Sequence, residues 1–395
     1  MSRDASNKFL HKAKKSKSDE FYTQFSDIQK EIEAYLEYNP DVFQNKIVYC
    51  NCDDPFESNF FRYFVLNFNR IGLKQLITTS YKPSPVANTQ LELFAENSSN
   101  IKNRTKVTAN KFIINEVGDI DGDGEFSLKD VALQLKENKH NEWSPLVGDG
   151  DFRSEESVVL LKQSDIVITN PPFSLFRDYV KQLIEYNKKF LIIANINAIT
   201  YKEVFPLIKE NKIWLGTGMG RWISGFIVPK SYELYGSEAR IDEDGNRIVS
   251  SNNCLWFTNI DHGKRHQPLP LMTMADNKKF NKQIQKDKTC YQKYDNYDAI
   301  EVPYTNAIPV DYDGVMGVPI TFLDKYSPEQ FEIIGNGQTM ADELGIKPVG
   351  QKFVDDYYSQ GNKGQINAKW NNLVLKIDEK VYVPYQRILI KHKKI

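Results

Sequence analysis

Apolar and polar positions follow one another in short blocks through the first half of the chain. Apolar runs bounded by turn residues predict buried strands at 46–51, 73–79, 111–115, 165–169 and 190–194. Apolar residues at helical spacing predict helices at 27–36, 59–67, 128–137, 158–163 and 175–186. This alternation of strands and helices predicts an α/β fold with a doubly wound parallel sheet.

The pattern changes beyond about residue 200. Turn residues become more frequent, and apolar runs such as 254–260 and 382–391 stand alone. We therefore expect the last strands of the sheet to be interleaved with, and then followed by, a region of a different kind. Its boundary is not sharp in the sequence.

Composition and charge narrow the class of protein. The chain has 395 residues, 41% of them hydrophobic, and a formal net charge of -1. A local basic run near the N-terminus contains Lys12, Lys14, Lys15 and Lys17. Such a run can contact a polyanion, although most short basic runs are solvated chain ends.

Cysteine usage and hydropathy predict a cytoplasmic protein. Cys50, Cys52, Cys254 and Cys290 form no C-x-x-C pair, and free cysteines are typical of a reducing compartment. We also expect no signal peptide and no membrane span, because no apolar stretch is long enough. The compartment would be a bacterial cell, or a host cell if the gene is carried by a phage.

The most informative motif is Asn170-Pro171-Pro172-Phe173, directly after the apolar run 165–169. Ligands of open α/β sheets bind outside the carboxyl ends of strands. There the Asn170 side-chain oxygen and the Pro171 carbonyl can accept both hydrogens of a planar amino group, and Phe173 can stack on the attached ring. These acceptors localise the nitrogen lone pair, so the motif predicts methyl transfer to an exocyclic amine, most plausibly that of adenine. In a duplex, that base must first be flipped out.

The alternative for this motif is a plain turn after a strand, with Phe173 in the core. Three other segments, at 21–23, 51–55 and 151–152, favour the catalytic interpretation because they follow one another along the same predicted sheet. They predict a site for S-adenosylmethionine formed by Phe21, Tyr22, Thr23, Asn51, Asp53, Asp54, Pro55, Asp151, Phe152 and Asn170. Each segment alone is weak, since aromatic pairs are usually core and Gly-Asp-Gly is usually a turn.

These residues resemble the EcoRI-type family of adenine-specific DNA methyltransferases. The resemblance extends to about residue 335 and rests on the blocks 7–8, 11–17, 19–24, 48–55, 58–61, 148–154, 169–177, 197–203, 256–259, 293–300 and 316–326. It implies a class I (Rossmann-like) methyltransferase fold, S-adenosylmethionine as donor and N6-methyladenine in duplex DNA as product. The first strand lacks the Gly-x-Gly of the broader methyltransferase pattern, and the second strand ends without an acidic residue.

The resemblance also implies a division of the chain and a set of partners. We expect a basic arm at 1–20, a catalytic core at 21–215, and remaining core strands with a DNA target-recognition region at 216–395. The partner is duplex DNA, with a possible cognate restriction endonuclease that acts on the same site without a stable complex. Two rival interpretations are methylation of a glutamine amide at N5 in a protein, and DNA binding by a non-catalytic protein of this fold.

Two further features carry weaker predictions. The loop 119–130 fits a calcium-binding pattern, with candidate ligands at Asp119, Asp121, Asp123, Glu125 and Asp130, although a solvated turn before a helix is the alternative. Any calcium would be structural, because methyl transfer needs no metal. Arg221, beside a glycine-rich loop, and Arg387, on the last strand, are candidate DNA contacts; an edge strand with charged ends is the alternative for Arg387.

Overall fold

The computed structural model describes the chain in several stretches. The described residues are 22–52, 58–80, 109–120, 122, 130, 133, 140–218, 223–228, 234, 239–250 and 253–393. They form two compact units, the first within 1–196 and 215–262 and the second within 197–214 and 263–395. These bounds differ from the predicted domain boundaries, and the assignment of tasks to those domains stays a prediction.

The secondary structure confirms the predicted mixture of helices and strands. The α-helices of the described residues are α1 (Phe25–Tyr38), α2 (Asn59–Leu66), α3 (Glu155–Gln163), α4 (Phe176–Glu185), α5 (Phe205–Lys209), α6 (Met274–Phe280) and α7 (Gly350–Ser359). The first twelve strands are β1 (Tyr22–Thr23), β2 (Ile47–Cys50), β3 (Gln75–Thr79), β4 (Asn110–Ile114), β5 (Glu142–Pro145), β6 (Ile166–Thr169), β7 (Lys189–Asn195), β8 (Trp214–Leu215), β9 (Phe226–Val228), β10 (Arg240–Ile241), β11 (Arg247–Val249) and β12 (Cys254–Thr258). The others are β13 (Ile300–Glu301), β14 (Met316–Pro319), β15 (Phe331–Asn336), β16 (Leu375–Ile377), β17 (Lys380–Tyr382) and β18 (Arg387–His392).

A large mixed sheet organises the first unit. Its strand order is β5-β4-β3-β2-β6-β7-β12-β8. The central strands β3, β2, β6 and β7 are parallel, whereas β4, β5 and β12 run antiparallel to their neighbours. The sheet is therefore mixed, and the prediction of a parallel sheet is confirmed only for its four central strands. The apolar pattern of one strand does not encode its direction, because side chains alternate in the same way in both arrangements.

The order of the central strands reverses between β2 and β6. From β2 the chain continues to β3 on one side, and it later returns to β6 and β7 on the other side. This is the topological switch point at which open α/β sheets bind ligands. Asn51 follows β2 here, and Asn170 follows β6.

Helices α1 and α2 cover this sheet with apolar side chains. In α1, Ile28, Ile32 and Tyr35 are fully buried, which confirms the predicted helix with somewhat longer bounds. The Ser58 side chain caps α2 by accepting hydrogen bonds from the Phe60 and Phe61 amides at 3.2 and 3.3 Å. Full burial of such large apolar side chains contributes about 2 kcal/mol each.

A second sheet in the first unit has the order β1-β9-β11-β10. The short strand β1 pairs antiparallel with β9, so that Tyr22 lies opposite Ile227 and Thr23 opposite Phe226. Strand β11 pairs with the other side of β9. This sheet holds the Tyr22-Thr23 segment in a fixed register against residues about 200 positions later in the chain.

The second unit contains a sheet of order β13-β14-β18-β15 and the hairpin β16–β17. The single strand predicted at 382–391 is wrong, because β17 ends at Tyr382 and β18 begins at Arg387, with Pro384 between them. Strand β18 pairs with both β14 and β15, so it is an interior strand and not the edge strand considered from the sequence.

Two predicted elements lie largely outside the described residues. Of the predicted helix 128–137, only Asp130 and Leu133 are described, and both are helical. Residues 81–106, whose proline, asparagine and serine clusters predict a loop, are entirely outside. Within the described part of the chain, no helix has the length and apolar character needed to cross a membrane.

Candidate active site

Two asparagines, Asn51 and Asn170, lie at the switch point, and hydrogen bonds of neighbouring residues connect the strands that precede them. Asn51 and Asn170 are 2% and 6% exposed, respectively. The Thr169 hydroxyl, on the last residue of β6, donates a hydrogen bond to the Asn51 backbone carbonyl. The Tyr179 hydroxyl on α4 donates to the Asn51 side-chain oxygen. The ends of β2 and β6 are thus fixed to each other at the predicted position of the site.

The Asn-Pro-Pro-Phe corner turns the chain away from the sheet immediately after β6. Pro171 is buried, and Pro172 has the extended angles φ -60° and ψ 120°. A 3₁₀ turn then begins at Phe173, closed by the Leu175 amide donating to the Pro172 carbonyl at 3.0 Å. This geometry holds Asn170 at the strand tip and leaves Phe173 half-buried at the start of the next turn.

Phe173 connects the corner to the Tyr22-Thr23 segment. Its ring centroid is 6.3 Å from that of Phe226, at an interplanar angle of 67°. Phe226 lies opposite Thr23 in the register of β1 and β9. Phe226 therefore links the corner to the Tyr22-Thr23 segment, which the sequence assigned to the cofactor.

Thr23 also has an unsatisfied polar atom. Its hydroxyl oxygen is buried and has no hydrogen-bond partner among the described residues. The Thr23 carbonyl is used differently, because it accepts from the Asn59 side-chain amide at 2.8 Å. Buried hydroxyls are normally hydrogen-bonded, so this one suits a polar ligand atom.

The Gly148–Phe152 loop also reaches the switch point. Gly150 has φ +78°, and a Cβ on it would overlap the Ser80 carbonyl at the end of β3 and lie 3.1 Å from the Ala109 Cβ. Phe152 is 2% exposed, and its ring centroid is 4.9 Å from that of Tyr179. The loop thus needs glycine to approach β3, and Tyr179 contacts Phe152 with its ring while it binds Asn51 with its hydroxyl.

Asp151, the predicted acceptor for the cofactor's adenine, forms an ion pair with its neighbour Arg153. The Arg153 Nη2 and the Asp151 Oδ2 are 2.6 Å apart, and the Arg153 Nε donates to Oδ1 at 2.9 Å. The Arg153 backbone amide also donates to Oδ1 at 2.9 Å, so the Asp151 carboxylate is held by its own loop. Its contact with a cofactor stays a prediction.

The turn after β2 is made without the usual glycines. Cys52 has φ +66°, in the left-handed region that favours glycine, and it is buried. A non-glycine residue in this conformation is under strain, and such strain concentrates at functional sites. Cys52 therefore turns the chain directly after β2, at the place where the broader pattern has Gly-x-Gly.

Several predicted site residues lie outside the described residues. They are Lys12, Lys14, Lys15, Lys17, Phe21, Asp53, Asp54, Pro55, Asp121, Asp123, Glu125 and Arg221. Of the predicted calcium ligands, Asp119 accepts from the Gly122 amide at 2.7 Å and Asp130 from the Ile120 amide at 2.8 Å. No group of three or more candidate metal ligands occurs among the residues that the structure describes, and calcium is not supported.

Arg387 is part of a buried ion pair in the second unit. Its guanidinium binds the Glu301 carboxylate, with Nη2 2.6 Å from Oε1, and the two side chains are 11% and 1% exposed. The Tyr294 hydroxyl donates to the same carboxylate. A contact between Arg387 and DNA would have to break this pair. The predicted DNA contact stays a prediction, and the guanidinium has a structural partner here.

Sequence reasoning missed two buried carboxylates on α1. The Glu31 carboxylate accepts from the Thr217 amide at 2.8 Å and from its hydroxyl at 2.7 Å. One helical turn earlier, Asp27 accepts from the Ser224 amide and hydroxyl at 2.8 and 3.0 Å. Burial raises the pKa of Asp27, and the hydrogen bonds from Ser224 oppose that shift. Asp27 thus holds the chain just before β9, whose Phe226 contacts Phe173, and Glu31 holds the chain just after β8.

Comparison with known proteins identifies the family of the chain. A family model described as "Adenine-specific methyltransferase EcoRI" matches residues 9–393. The chain is 54% identical over 334 residues to the Type II methyltransferase M.EcoRI of Escherichia coli, a match covering 85% of this chain and 90% of that protein. It is 35% identical over 328 residues to the Type II methyltransferase M.MpnI of Mycoplasma pneumoniae, covering 82% and 85%. No solved structure gives a significant match.

The family match confirms the resemblance and extends it past residue 335, to nearly the end of the chain. It decides against the two rivals, a protein glutamine methyltransferase and a non-catalytic DNA-binding protein, because the matched family is an adenine-specific methyltransferase family. The chain belongs to the EcoRI-type family of adenine-specific DNA methyltransferases, and it is an enzyme that methylates adenine at specific sites in DNA.

Proposed function

We propose that this enzyme methylates the exocyclic N6 of an adenine flipped out of duplex DNA, at the corner Asn170–Phe173. One observation carries the proposal. The corner lies at the topological switch point, and the Thr169–Asn51 hydrogen bond ties it to the end of β2.

The corner acts by positioning and by fixed polarity. The Asn170 side-chain oxygen and the Pro171 carbonyl accept the two amino hydrogens of adenine, which concentrates the lone pair on N6. Pro172 fixes the direction of the chain, so the acceptors need little reorganisation during the reaction. Phe173 stacks on the base, and its half-buried ring leaves surface for that contact. The amino proton leaves after transfer, so no strongly basic side chain is required.

S-adenosylmethionine fits the other half of the switch point. The buried, unpartnered hydroxyl of Thr23 suits a polar group of the cofactor, and we assign Phe152, whose ring packs on Tyr179, to the wall of the same site. We assign the rest of the site to the predicted residues Phe21, Tyr22, Asn51, Asp53, Asp54, Pro55 and Asp151. Bound there, the cofactor supplies an electrophilic methyl group. The residues of the chain hold it beside the corner and exclude water.

The strand order supports a class I, Rossmann-like assignment. Four parallel central strands are followed by the antiparallel β12 beside β7, and the strand order reverses once among the parallel strands. We further propose that residues 216–395 contain the target-recognition region and that the basic arm 1–20 contacts DNA phosphates. The relatives are named Type II methyltransferases, which favours a cognate restriction endonuclease that acts on the same site without a stable complex.

The test is transfer of a labelled methyl group from S-adenosylmethionine to duplex DNA, followed by nucleoside analysis. Asn170→Ala should lower the single-turnover rate on the order of 100-fold or more, as removal of one preorganised polar contact does in other enzymes. Cofactor and DNA affinities should stay close to those of the parent enzyme. Equal losses of folding or binding would assign Asn170 a structural role and contradict the proposal.

A further inference from the structure

A strongly basic segment lies in the second unit. Residues 277–288 contain five lysines and one acidic residue, in a chain whose formal net charge is -1. We call these lysines the lysine patch: Lys278, Lys279, Lys282, Lys286 and Lys288. All five side chains are exposed. The sequence placed these lysines within the expected target-recognition region 216–395 but did not single them out.

The backbone beneath the patch is held rigidly. The Thr273 hydroxyl caps α6 by accepting from the Asp276 amide at 3.1 Å, and Asn277 on the same helix is fully buried. The Gln285 side-chain amide donates to the Lys279 carbonyl at 2.6 Å, which joins the end of α6 to the next turn. The buried Ile284 anchors that turn. The lysines therefore extend from a preformed surface.

The charge of the patch is hardly neutralised within the protein. Lys278, Lys279, Lys282 and Lys286 form no salt bridge with any residue that the structure describes. Lys288 is 3.5 Å from Asp378, but both side chains are about three-quarters exposed, at 73% and 77%, where ion pairs are weak. The remaining charge favours an anionic partner.

The acidic residue within the segment is used by the fold. The Asp287 carboxylate accepts from the Thr289 amide and hydroxyl and from the Tyr304 hydroxyl at 3.0 Å. The helix dipole favours lysine at the end of α6, which accounts for Lys278 and Lys279 only. The remaining lysines of the patch lie beyond the helix and need another reason.

We propose that the lysine patch binds the phosphate backbone of the DNA substrate. The inference rests on the DNA methylation that family membership shows, and it goes beyond the roles proposed for the catalytic corner by naming a surface for the duplex. Duplex DNA presents a dense row of phosphates, and lysine ammonium groups bind phosphate as point charges. Such contacts place the protein on the duplex without reading its sequence.

The test replaces three lysines at once, as Lys278→Gln, Lys279→Gln and Lys282→Gln. The dissociation constant for duplex DNA is measured against salt concentration, with and without the recognised site. The slope of log K against log salt should fall by about 2 to 3, since each phosphate contact contributes about 0.9. Affinity at low salt should fall on the order of 10-fold or more. The ratio of specific to non-specific affinity should stay constant, because phosphate contacts carry no sequence information.

The matched control replaces three other exposed lysines of the same unit, as Lys352→Gln, Lys363→Gln and Lys369→Gln. It removes the same charge, and it should leave the slope closer to that of the parent enzyme. An unchanged slope in the patch variant, or an equal loss in the control, would overturn the proposal. The rate of methyl transfer at saturating DNA distinguishes a failure of this proposal from a failure of the proposed catalytic role of Asn170. Loss of the lysine patch raises KM for DNA, whereas loss of Asn170 lowers kcat.

Discussion

Gly150→Ala is the sharpest test of how the 148–152 loop contributes to the site. Gly150 has φ +78°, and an added Cβ would overlap the Ser80 carbonyl oxygen. Alanine in the left-handed region costs about 1–2 kcal/mol. The overlap involves backbone and not the end of a flexible side chain, so either the loop or the end of β3 must move. Overpacking of this kind costs about 1–3 kcal/mol more.

The loop is the easier of the two to displace, because β3 is bonded to strands on both sides. Displacement moves Phe152, whose ring contacts Tyr179 and whose carbonyl accepts from Gln182 at 3.1 Å. We therefore expect the combined cost, roughly 2–5 kcal/mol, to be divided between stability and cofactor binding. Each 1.4 kcal/mol that falls on binding weakens the affinity for S-adenosylmethionine about tenfold.

The neighbouring Gly148 offers a matched control. A Cβ there meets nothing within 4 Å, and Gly148 has no positive φ. Cofactor affinity by calorimetry and stability by urea unfolding should both fall in Gly150→Ala and remain near the parent values in Gly148→Ala. Equal behaviour of the two variants would refute the steric argument. A destabilised Gly150→Ala with unchanged cofactor affinity would refute the role of the loop in binding.

Three further predictions concern buried polar groups. Burial raises the pKa of Asp27, so the stability that its protonated carboxyl contributes is lost as pH rises through the pKa of the folded state. Asp27→Asn should therefore gain stability relative to the parent as pH rises above about 4. A difference in unfolding free energy that does not change with pH would contradict this. Arg387→Ala leaves the Glu301 carboxylate buried without its bidentate partner, which should cost about 3–5 kcal/mol in urea unfolding; a loss under 1 kcal/mol would be inconsistent with the stated burial. Tyr179→Phe removes the donor to Asn51, so it should destabilise the enzyme by about 1 kcal/mol and raise KM for the cofactor, and unchanged kinetics would show that the bond does not support the site.

The sequence predicts those helices, strands and turns whose structure is determined by the residues within and next to them along the chain. The run 165–169 appears as β6, Ile166–Thr169, because four consecutive buried residues leave no polar face. The motif that follows it was predictable as well, since two prolines end a strand and fix the turn. Strand β5 was not predictable: its sequence Glu-Trp-Ser-Pro is largely polar, and its pairing depends on Trp143 stacking on Phe112 at 5.8 Å.

The buried carboxylates of α1 show a different limit. A helical pattern places Asp27 and Glu31 among its polar positions, which predicts exposure, yet both are 0% exposed. Their partners Ser224 and Thr217 lie 197 and 186 positions away. Their burial therefore depends on tertiary contacts that no local pattern contains. The hydrogen bond from Tyr179 to Asn51 is not predictable for the same reason, because in the sequence Tyr179 is one of several apolar positions of an amphipathic helix.

The candidate site residues differ in how firmly the fold holds them, and this difference follows the task proposed for each. Asn51 is bound on both its backbone and its side chain, through Thr169 and Tyr179, before any ligand arrives. Asn51 belongs to the proposed cofactor site, and a group that must present fixed dipoles there benefits from such restraint, because no reorganisation is needed when the cofactor enters. Phe173 is half-buried and meets Phe226 at a distance of 6.3 Å between ring centroids. An aromatic ring that receives an extruded purine needs an open face, so its looser packing is a requirement of the same mechanism.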